Sequence, residues 1–279
     1  VKTFDSAETI NNLIKELKSE GKMIGFVPTM GALHDGHLSM VKQAKSKCDV
    51  VVVSVFVNPT QFNNPEDLAK YPRNPEQDAT LLKQAGCDFA FFPSVEEVYP
   101  TSYQAVNVPL GNIEKVMEGA FRPGHFQGVV EVVARLFEII QPHIAYFGMK
   151  DFQQVAVIKR LVHHLNLPIE IETCAIYRNQ DGLALSSRNK RLNAEQLTEA
   201  LHIYQTLKFA VARASFLPPS QLKTESIAFF NQSKMKLEYL SIVDPLTLEE
   251  LSENWVNGAV MCIACFCGEI RLIDNMTLN

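Results

Sequence analysis

What this chain has little of narrows the field first. It has no basic excess: 26 Lys and Arg stand against 31 Asp and Glu, a net charge of -5. Proteins that live on nucleic acid usually carry a basic stripe that neutralises phosphate, so no nucleic-acid partner is expected. No apolar run approaches the length of a membrane span, and Val1 to Ile10 is too polar for a signal peptide. No membrane role and a cytoplasmic location are therefore expected. The six cysteines are scattered over 279 residues rather than framing a small disulfide scaffold. There is no internal repeat and no low-complexity tract.

What is present is ordinary globular material. Apolar residues make up 47% and charged residues 20%, enough for one large domain or two modest ones. A small anionic substrate remains compatible with the acidic balance, because a few positive charges focused in a cleft suffice.

The first two-thirds alternates helical and strand patterns. Ser6 to Glu20 predicts an amphipathic helix with Ile10, Leu13, Ile14 and Leu17 on one face. Met23 to Pro28 predicts a strand, and Gly31 to Lys47 a loop followed by a helix. Val50 to Val57 is a β-branched run of the kind buried on both faces of a sheet. A helix over Pro75 to Ala85, a strand over Phe89 to Phe92, a helix over Phe126 to Ile140 and a strand over Ala145 to Phe147 follow. Asp151 to Leu165 predicts a helix with Asp151 as its N-cap, and Ile169 to Ile176 another strand. This order predicts an α/β class: a Rossmann-like parallel sheet covered on both faces.

The pattern then changes. Asn193 with Gln196 opens a long helix ending near Ala214, and Leu217-Pro218-Pro219 breaks it. A second helix runs to about Asn231. Strands follow at Leu237 to Val243, Ala259 to Phe266 and Ile270 to Ile273, the last two forming a hairpin. The expected boundary lies near Tyr177 to Asp181, giving a Rossmann-like domain over 1–176 and a smaller α+β domain over 177–279.

The chemistry concentrates at Pro28-Thr29-Met30-Gly31-Ala32-Leu33-His34-Asp35-Gly36-His37. This segment follows the first core strand and opens a helix, where backbone amides and the helix dipole favour phosphate. His34 and His37, three apart, should share a face once helical, where two imidazoles can donate to charge building at phosphorus. A zinc site would need a third ligand that nothing nearby offers, so no protein-held metal is expected. Cys262-Ile263-Ala264-Cys265 contains C-x-x-C, but strand residues three apart point to opposite faces, which favours buried packing over metal or redox chemistry.

The His-Asp-Gly-His run resembles the HxGH signature of the nucleotidyltransferase superfamily, whose fold is shared with class I aminoacyl-tRNA synthetases. The longer string resembles the pantothenate synthetase (pantoate–β-alanine ligase) family. Further segments agree over most of the chain: Val57-Asn58-Pro59-Thr60-Gln61-Phe62, Tyr71-Pro72-Arg73-Asn74, Arg122-Pro123-Gly124-His125-Phe126, Phe147-Gly148-Met149-Lys150-Asp151-Phe152-Gln153-Gln154, Asp181 to Asn189, and Arg271-Leu272-Ile273-Asp274-Asn275. The resemblance implies an ATP-dependent ligase that activates pantoate as its adenylate and passes it to β-alanine. It places ATP on Met30, Gly31, Ala32, Leu33, His34, Asp35, Gly36 and His37. It adds Gly148, Met149, Lys150 and Asp151, then Tyr177, Leu185, Ser186, Ser187 and Arg188. It places pantoate on Gln61 and Gln154, and catalysis on His37, His34 and Lys150. It also implies Mg2+ held mainly by ATP, and a homodimer.

Physical readings accompany these assignments. Gln61, beyond a strand end, offers a neutral amide to the hydroxyls and carboxylate of a small acid. Lys150 can act as a point charge on phosphate oxygens, and Ser186-Ser187-Arg188 can wrap a triphosphate and move as a lid beside the boundary. Arg122, His125 and Arg73 either shape turns or reach the cleft. Two departures from the family stand out. Tyr177-Arg178-Asn179 replaces a Val-Arg-Glu run, and Leu185 replaces a methionine. Another small-molecule nucleotidyltransferase, or a silent nucleotide-binding protein on the same fold, would share the strand-helix junction without the ligase chemistry.

Overall fold

The computed structural model describes residues 1–278, so Asn279, the last residue of the expected second domain, lies outside the described residues. In chain order the main elements are β1 (Lys2–Phe4), α1 (Ala7–Ser19), β2 (Ile24–Thr29), α2 (Asp35–Lys47), β3 (Val50–Val55), α3 (Pro65–Lys70) and α4 (Pro75–Gln84). They continue with β4 (Phe89–Phe91), α5 (Val95–Val98), α6 (Met117–Phe121), α7 (His125–Ile140), β5 (Ile144–Gly148), α8 (Phe152–His164) and β6 (Glu170–Cys174). Then come α9 (Ala194–Val211), α10 (Pro219–Phe230), β7 (Lys236–Val243), β8 (Val260–Cys267) and β9 (Ile270–Thr277).

Six strands form one parallel sheet in the order β1-β4-β3-β2-β5-β6. Val50–Val53 of β3 are buried on both faces, which is why that strand reads as an unbroken apolar run rather than an alternation. α1 and α7 cover one face through Ile10, Ile14, Val130 and Ile140. α2 covers the other through Met40, Val41 and Ala44. From β2 the chain steps outward through β3 and β4, then returns to place β5 on the other side of β2. That reversal opens a crevice at the carboxyl ends of β2 and β5.

A second sheet, β7-β8-β9, is antiparallel. α9 and α10 pack on it through Ile203, Leu207, Leu222 and Phe230. Its opposite face carries Val243, Val260 and Cys262 against Met117 and Phe152 of the first unit. Cys265 belongs to the α9/α10 core and Cys262 to the inter-unit core, so the two diverge as a strand requires. All six cysteines are free and buried.

Local capping explains several boundaries. Asn193 and Gln196 form a reciprocal capping box at the start of α9, and Ser6 caps α1. Three expectations are corrected. Asp151 occupies the N-cap position of α8 but makes no side-chain cap hydrogen bond, because the residues before it form a tight 3-10 turn, Met149–Asp151, rather than an extended entry. α9 ends at Val211 and gives way to turns before Ala214. β9 runs to Thr277 rather than Ile273, since its register with β8 continues to the Val260–Thr277 pair. Among the described residues no helix is long and apolar enough to cross a membrane.

Candidate active site

A cavity of about 220 Å³ occupies the crevice. Residues following the ends of β2, β3, β5 and β6 line it, together with α7 and the segment 185–188. It gathers Met30, His34, Gly36, His37, Gln61, Gly148, Lys150, Asp151, Gln154, Tyr177, Leu185, Ser186, Ser187 and Arg188. These residues are spread over more than half the chain, and the topology alone brings them together. A second cavity of about 460 Å³ adjoins it between the two sheets and shares Arg122, Lys150, Asp151, Ser186 and Arg188.

The loop after β2 differs from expectation. Gly31, Ala32 and Leu33 are buried beneath the cavity rather than lining it. The amides of Ala32 and Leu33 donate to the two oxygens of buried Asp78 at 2.9 and 2.8 Å, so they are already paired within the protein. Gly31 has φ +78°, and an added Cβ would stand 2.9 Å from both Asp78 Oδ2 and Val55 Cγ1. Glycine is therefore required there for backbone and for space. Asp35 points outward, and Met149 packs against the core instead of the cavity.

His34 is not on a helix face: it is the extended N-cap of α2. Its Nδ1 accepts the Gly36 amide at 3.2 Å, and His37 Nδ1 accepts the His34 amide at 3.4 Å. The two imidazoles thus form a capping box of their own. Gly36 makes room for it, since a Cβ there would come within 2.9 Å of the His34 ring. Burial, then the positive charges of Lys150 and Lys190, lowers His34 to about 4. Burial, with His34, Lys150 and Lys190, holds His37 well below the usual range. Both rings are neutral at pH 7. A neutral imidazole that accepts at Nδ1 carries its proton on Nε2, so each presents one N–H donor.

Across the cavity Gln61 is buried, with its Oε1 accepting Asn58 Nδ2 at 3.2 Å and its Nε2 3.1 Å from Met30 Sδ. Asn58, also buried, donates to Gly128 O at 3.1 Å and accepts from Tyr99 Oη at 2.9 Å. It fixes the loop that carries Gln61. Gln154 sits in the first turn of α8 with its amide unpartnered among the described residues, and Lys150 makes no ion pair there.

Arg122 and His125 do reach the cavity. His125 Nδ1 donates to Gln61 O at 2.8 Å and its Nε2 accepts from Arg122 at 3.1 Å. Burial, then Arg122, lowers His125 to about 4. Arg122 also pairs with Glu118. Burial pushes the Glu118 carboxyl up, but Arg271, with Arg122 and the Tyr239 hydroxyl, outweighs it and holds Glu118 at about 2. Arg73 instead bonds the carbonyls of Leu68 and Tyr71 at the end of α3 and lines neither cavity. The Ser187 hydroxyl is buried and bonded to Tyr71 Oη at 3.1 Å, while Arg188 is paired with Asp67 at 2.7 Å.

Asp78, Asn58 and Tyr71 are the supporting residues that sequence reasoning missed. Asn58 and Tyr71 lie inside segments quoted for their resemblance. Asp78 lies on α4 in no motif, and only the fold shows what it holds.

A parallel α/β sheet with its cavity at the switch point, two neutral histidines at a helix start and an unpaired Lys150 in the same cavity defines a nucleotide-handling enzyme of the HxGH kind. Residues 2–277 match the family described as pantoate-beta-alanine ligase. The chain belongs to that family. The pantothenate synthetase of Porphyromonas gingivalis is 47% identical over 276 residues, 98% of each chain. That of Bacteroides fragilis is 48% identical over 281 residues, 99% of this chain and 98% of its own. The crystal structure of pantothenate synthetase from Thermus thermophilus matches with a TM-score of 0.94 at 41% identity, over 100% of this chain and 99% of that one. Pantoate-beta-alanine ligase from Francisella tularensis, complexed with beta-gamma ATP and beta-alanine, matches with a TM-score of 0.82 at 37% identity, over 99% and 97%.

Proposed function

We propose that this chain condenses pantoate with β-alanine at the expense of ATP, giving pantothenate, AMP and pyrophosphate through a pantoyl adenylate. Full-length similarity to pantothenate synthetases supports this reading. The observation that carries its residue roles is that His34, His37 and Lys150 line one cavity together with Gln61 and Gln154.

In the first step a pantoate carboxylate oxygen attacks the α-phosphorus of ATP. The new P–O bond forms as the bond to the leaving pyrophosphate breaks. His34 and His37 donate from Nε2 to phosphate oxygens as charge builds there, and His37 is the principal donor. They act as neutral hydrogen-bond donors rather than as acids. Lys150 adds a positive charge, joined by Ser186, Ser187 and Arg188 when the 185–191 segment closes. Gln61 and Gln154 hold pantoate by its hydroxyls and carboxylate without adding charge. In the second step the β-alanine amine attacks the acyl carbon, AMP leaves, and the amine gives up a proton. Tyr177 is 44% exposed at the rim, consistent with an adenine contact made through its backbone.

Magnesium would enter with ATP and neutralise phosphate charge. Asp151, a hard carboxylate lining both cavities, suits the single protein oxygen that such an ion commonly takes beside phosphates. We read residues 1–176 as the catalytic domain and the remainder as a smaller domain closing over it. The separate cores on the two sheets support that division. Cytoplasmic residence and a homodimer complete the proposal, and sedimentation of the purified chain tests the latter.

The deciding assay is AMP release. It should require ATP, pantoate and β-alanine together. Release with pantoate alone at the full rate, or a stable nucleotide product without β-alanine, would point to a different nucleotidyltransferase.

A further inference from the structure

The motif Arg271-Leu272-Ile273-Asp274-Asn275 takes no part in the steps above, yet it lies on β9, where the second sheet meets the site. Asn275 is buried, and its side-chain Nδ2 donates to the carbonyls of Met149 at 2.8 Å and Lys150 at 3.0 Å. Both amide hydrogens are thereby used. Met149 packs the 3-10 turn Met149–Asp151 against the core, but side-chain hydrogen bonds to the turn are few. Gly148 before it offers no side-chain cap, and Asp151, its last residue, makes no side-chain cap bond to α8. Among the described residues no other side chain bonds a carbonyl of this turn.

Asn275 is itself fixed on several sides. Its amide donates to Asp274 Oδ1 at 2.8 Å, and its carbonyl accepts from Arg178 at 3.2 Å. Arg178 grips the buried Asp274 carboxylate with two bonds of 2.6 and 2.9 Å. Its remaining reach goes to Gly182 O at 3.1 Å, in the turn that leads to Ser186–Arg188. A planar fork with both terminal nitrogens bonded twice, and one of its acceptors buried, leaves little freedom to the strand it holds.

We infer that Asn275 is a positioning residue for Lys150: the second sheet sets the direction of the lysine by clamping the carbonyls of its turn. The inference rests on the proposed role of Lys150 at the ATP phosphates. A lysine side chain is long and flexible, so only its backbone origin and direction can be preset. A donor displaced by about 1 Å costs on the order of a hundred-fold in rate.

The test is a double-mutant cycle read by exchange of labelled pyrophosphate into ATP in the presence of pantoate. Lys150→Ala should lower the maximal rate sharply. Asn275→Ala should lower it about ten- to a hundred-fold, with the pantoate concentration for half-maximal rate little changed. In the Lys150→Ala background, Asn275→Ala should cost less than about two-fold more, because the group through which it acts is gone. A general structural weakening would multiply the two losses instead. Additive losses, or Asn275→Ala at the parental rate, overturn the inference. Lys150→Ala at the parental rate overturns the role of the lysine itself, and the inference with it. Should Asn275→Ala fail to accumulate as folded protein, the same cycle is run with Asn275→Ser, which keeps one donor.

Discussion

Asp67 holds Arg188 in an ion pair of 2.7 Å, with Arg191 on its other oxygen at 3.4 Å. α3 of the first unit thus binds the arginine that the triphosphate is proposed to take. All three groups are about a quarter exposed, so the pair is a modest one. On this reading ATP competes with Asp67 for the Arg188 guanidinium. Asp67→Asn should therefore lower the ATP concentration for half-maximal rate by about two- to five-fold, the worth of a partly exposed ion pair. Steady-state kinetics at low ionic strength reads this directly. A raised requirement for ATP would mean that Asp67 keeps the loop closed over substrate instead of competing with it.

His34 and His37 face each other with ring centroids 4.1 Å apart, and each uses Nδ1 to cap its own turn. Capping and catalysis are therefore separable. Asparagine can place its Oδ1 where Nδ1 accepts, but it has no group at Nε2. His37→Asn should keep the fold and ATP binding while lowering the adenylation rate by on the order of a hundred-fold. Gln61→Ala should raise the pantoate requirement first, because its bonds already exist in the ground state. Rapid-quench adenylation rates with ATP and pantoate affinities make the comparison. If His37→Asn weakens ATP binding at an unchanged maximal rate, His37 is an ordinary phosphate ligand.

Much of this site was legible in the sequence because its reactive residues sit at strand ends. A strand run followed by Gly, His or Gln marks the crevice of a parallel sheet whatever the distant packing. The same reasoning does not find what the amides of Ala32 and Leu33 bond in the free protein. Helix starts usually leave amides free, and the sequence does not show that Asp78, 46 residues on, returns to claim them. The spacing of the His pair predicts a shared helix face. Spacing does not reveal that the helix starts one residue after His34, leaving that residue extended. Short elements such as α3, α5 and α6 carry too few residues to show a period. The clamp at Asn275 depends on contact between two sheets, which no local pattern encodes.

The buried histidines also make stability depend on pH. His34 and His125 are lowered to about 4, and His37 well below 6.5. Each folded value lies below the unfolded one, so below about pH 6.5 the unfolded chain takes up the proton first. The stability is full above that pH and is lost as pH falls toward 4, by at most about 1.4 kcal/mol per pH unit for each histidine. Urea midpoints should fall steadily between about pH 6.5 and about pH 5. His37→Asn, which cannot protonate, should flatten the slope. A slope unchanged in that variant would show that His37 is not the group being charged. Glu118, held at about 2, adds a separate loss only at lower pH, as its carboxyl protonates below the ordinary value.

Asp78 supplies the last prediction. Its carboxylate is 1% exposed and takes both loop amides, and that loop contains Ala32 at φ +50°. A non-glycine residue in the left-handed region is strained and persists only where its surroundings hold it. Asp78→Asn keeps the shape but turns one oxygen into an NH2 group, so a donor faces a donor. The unsatisfied amide should cost about 1–3 kcal/mol in urea unfolding. The strained turn should also relax, and His34 begins directly after it. Adenylation should therefore slow by more than the stability loss explains, measured under conditions where the variant is fully folded, while pantoate affinity stays near the parental value. The distinction matters because a misplaced histidine affects charge developing at phosphorus rather than substrate capture. If Asp78→Asn loses stability but adenylates at the parental rate once ATP is bound, the nucleotide itself restores the loop, and Asp78 serves the free enzyme only.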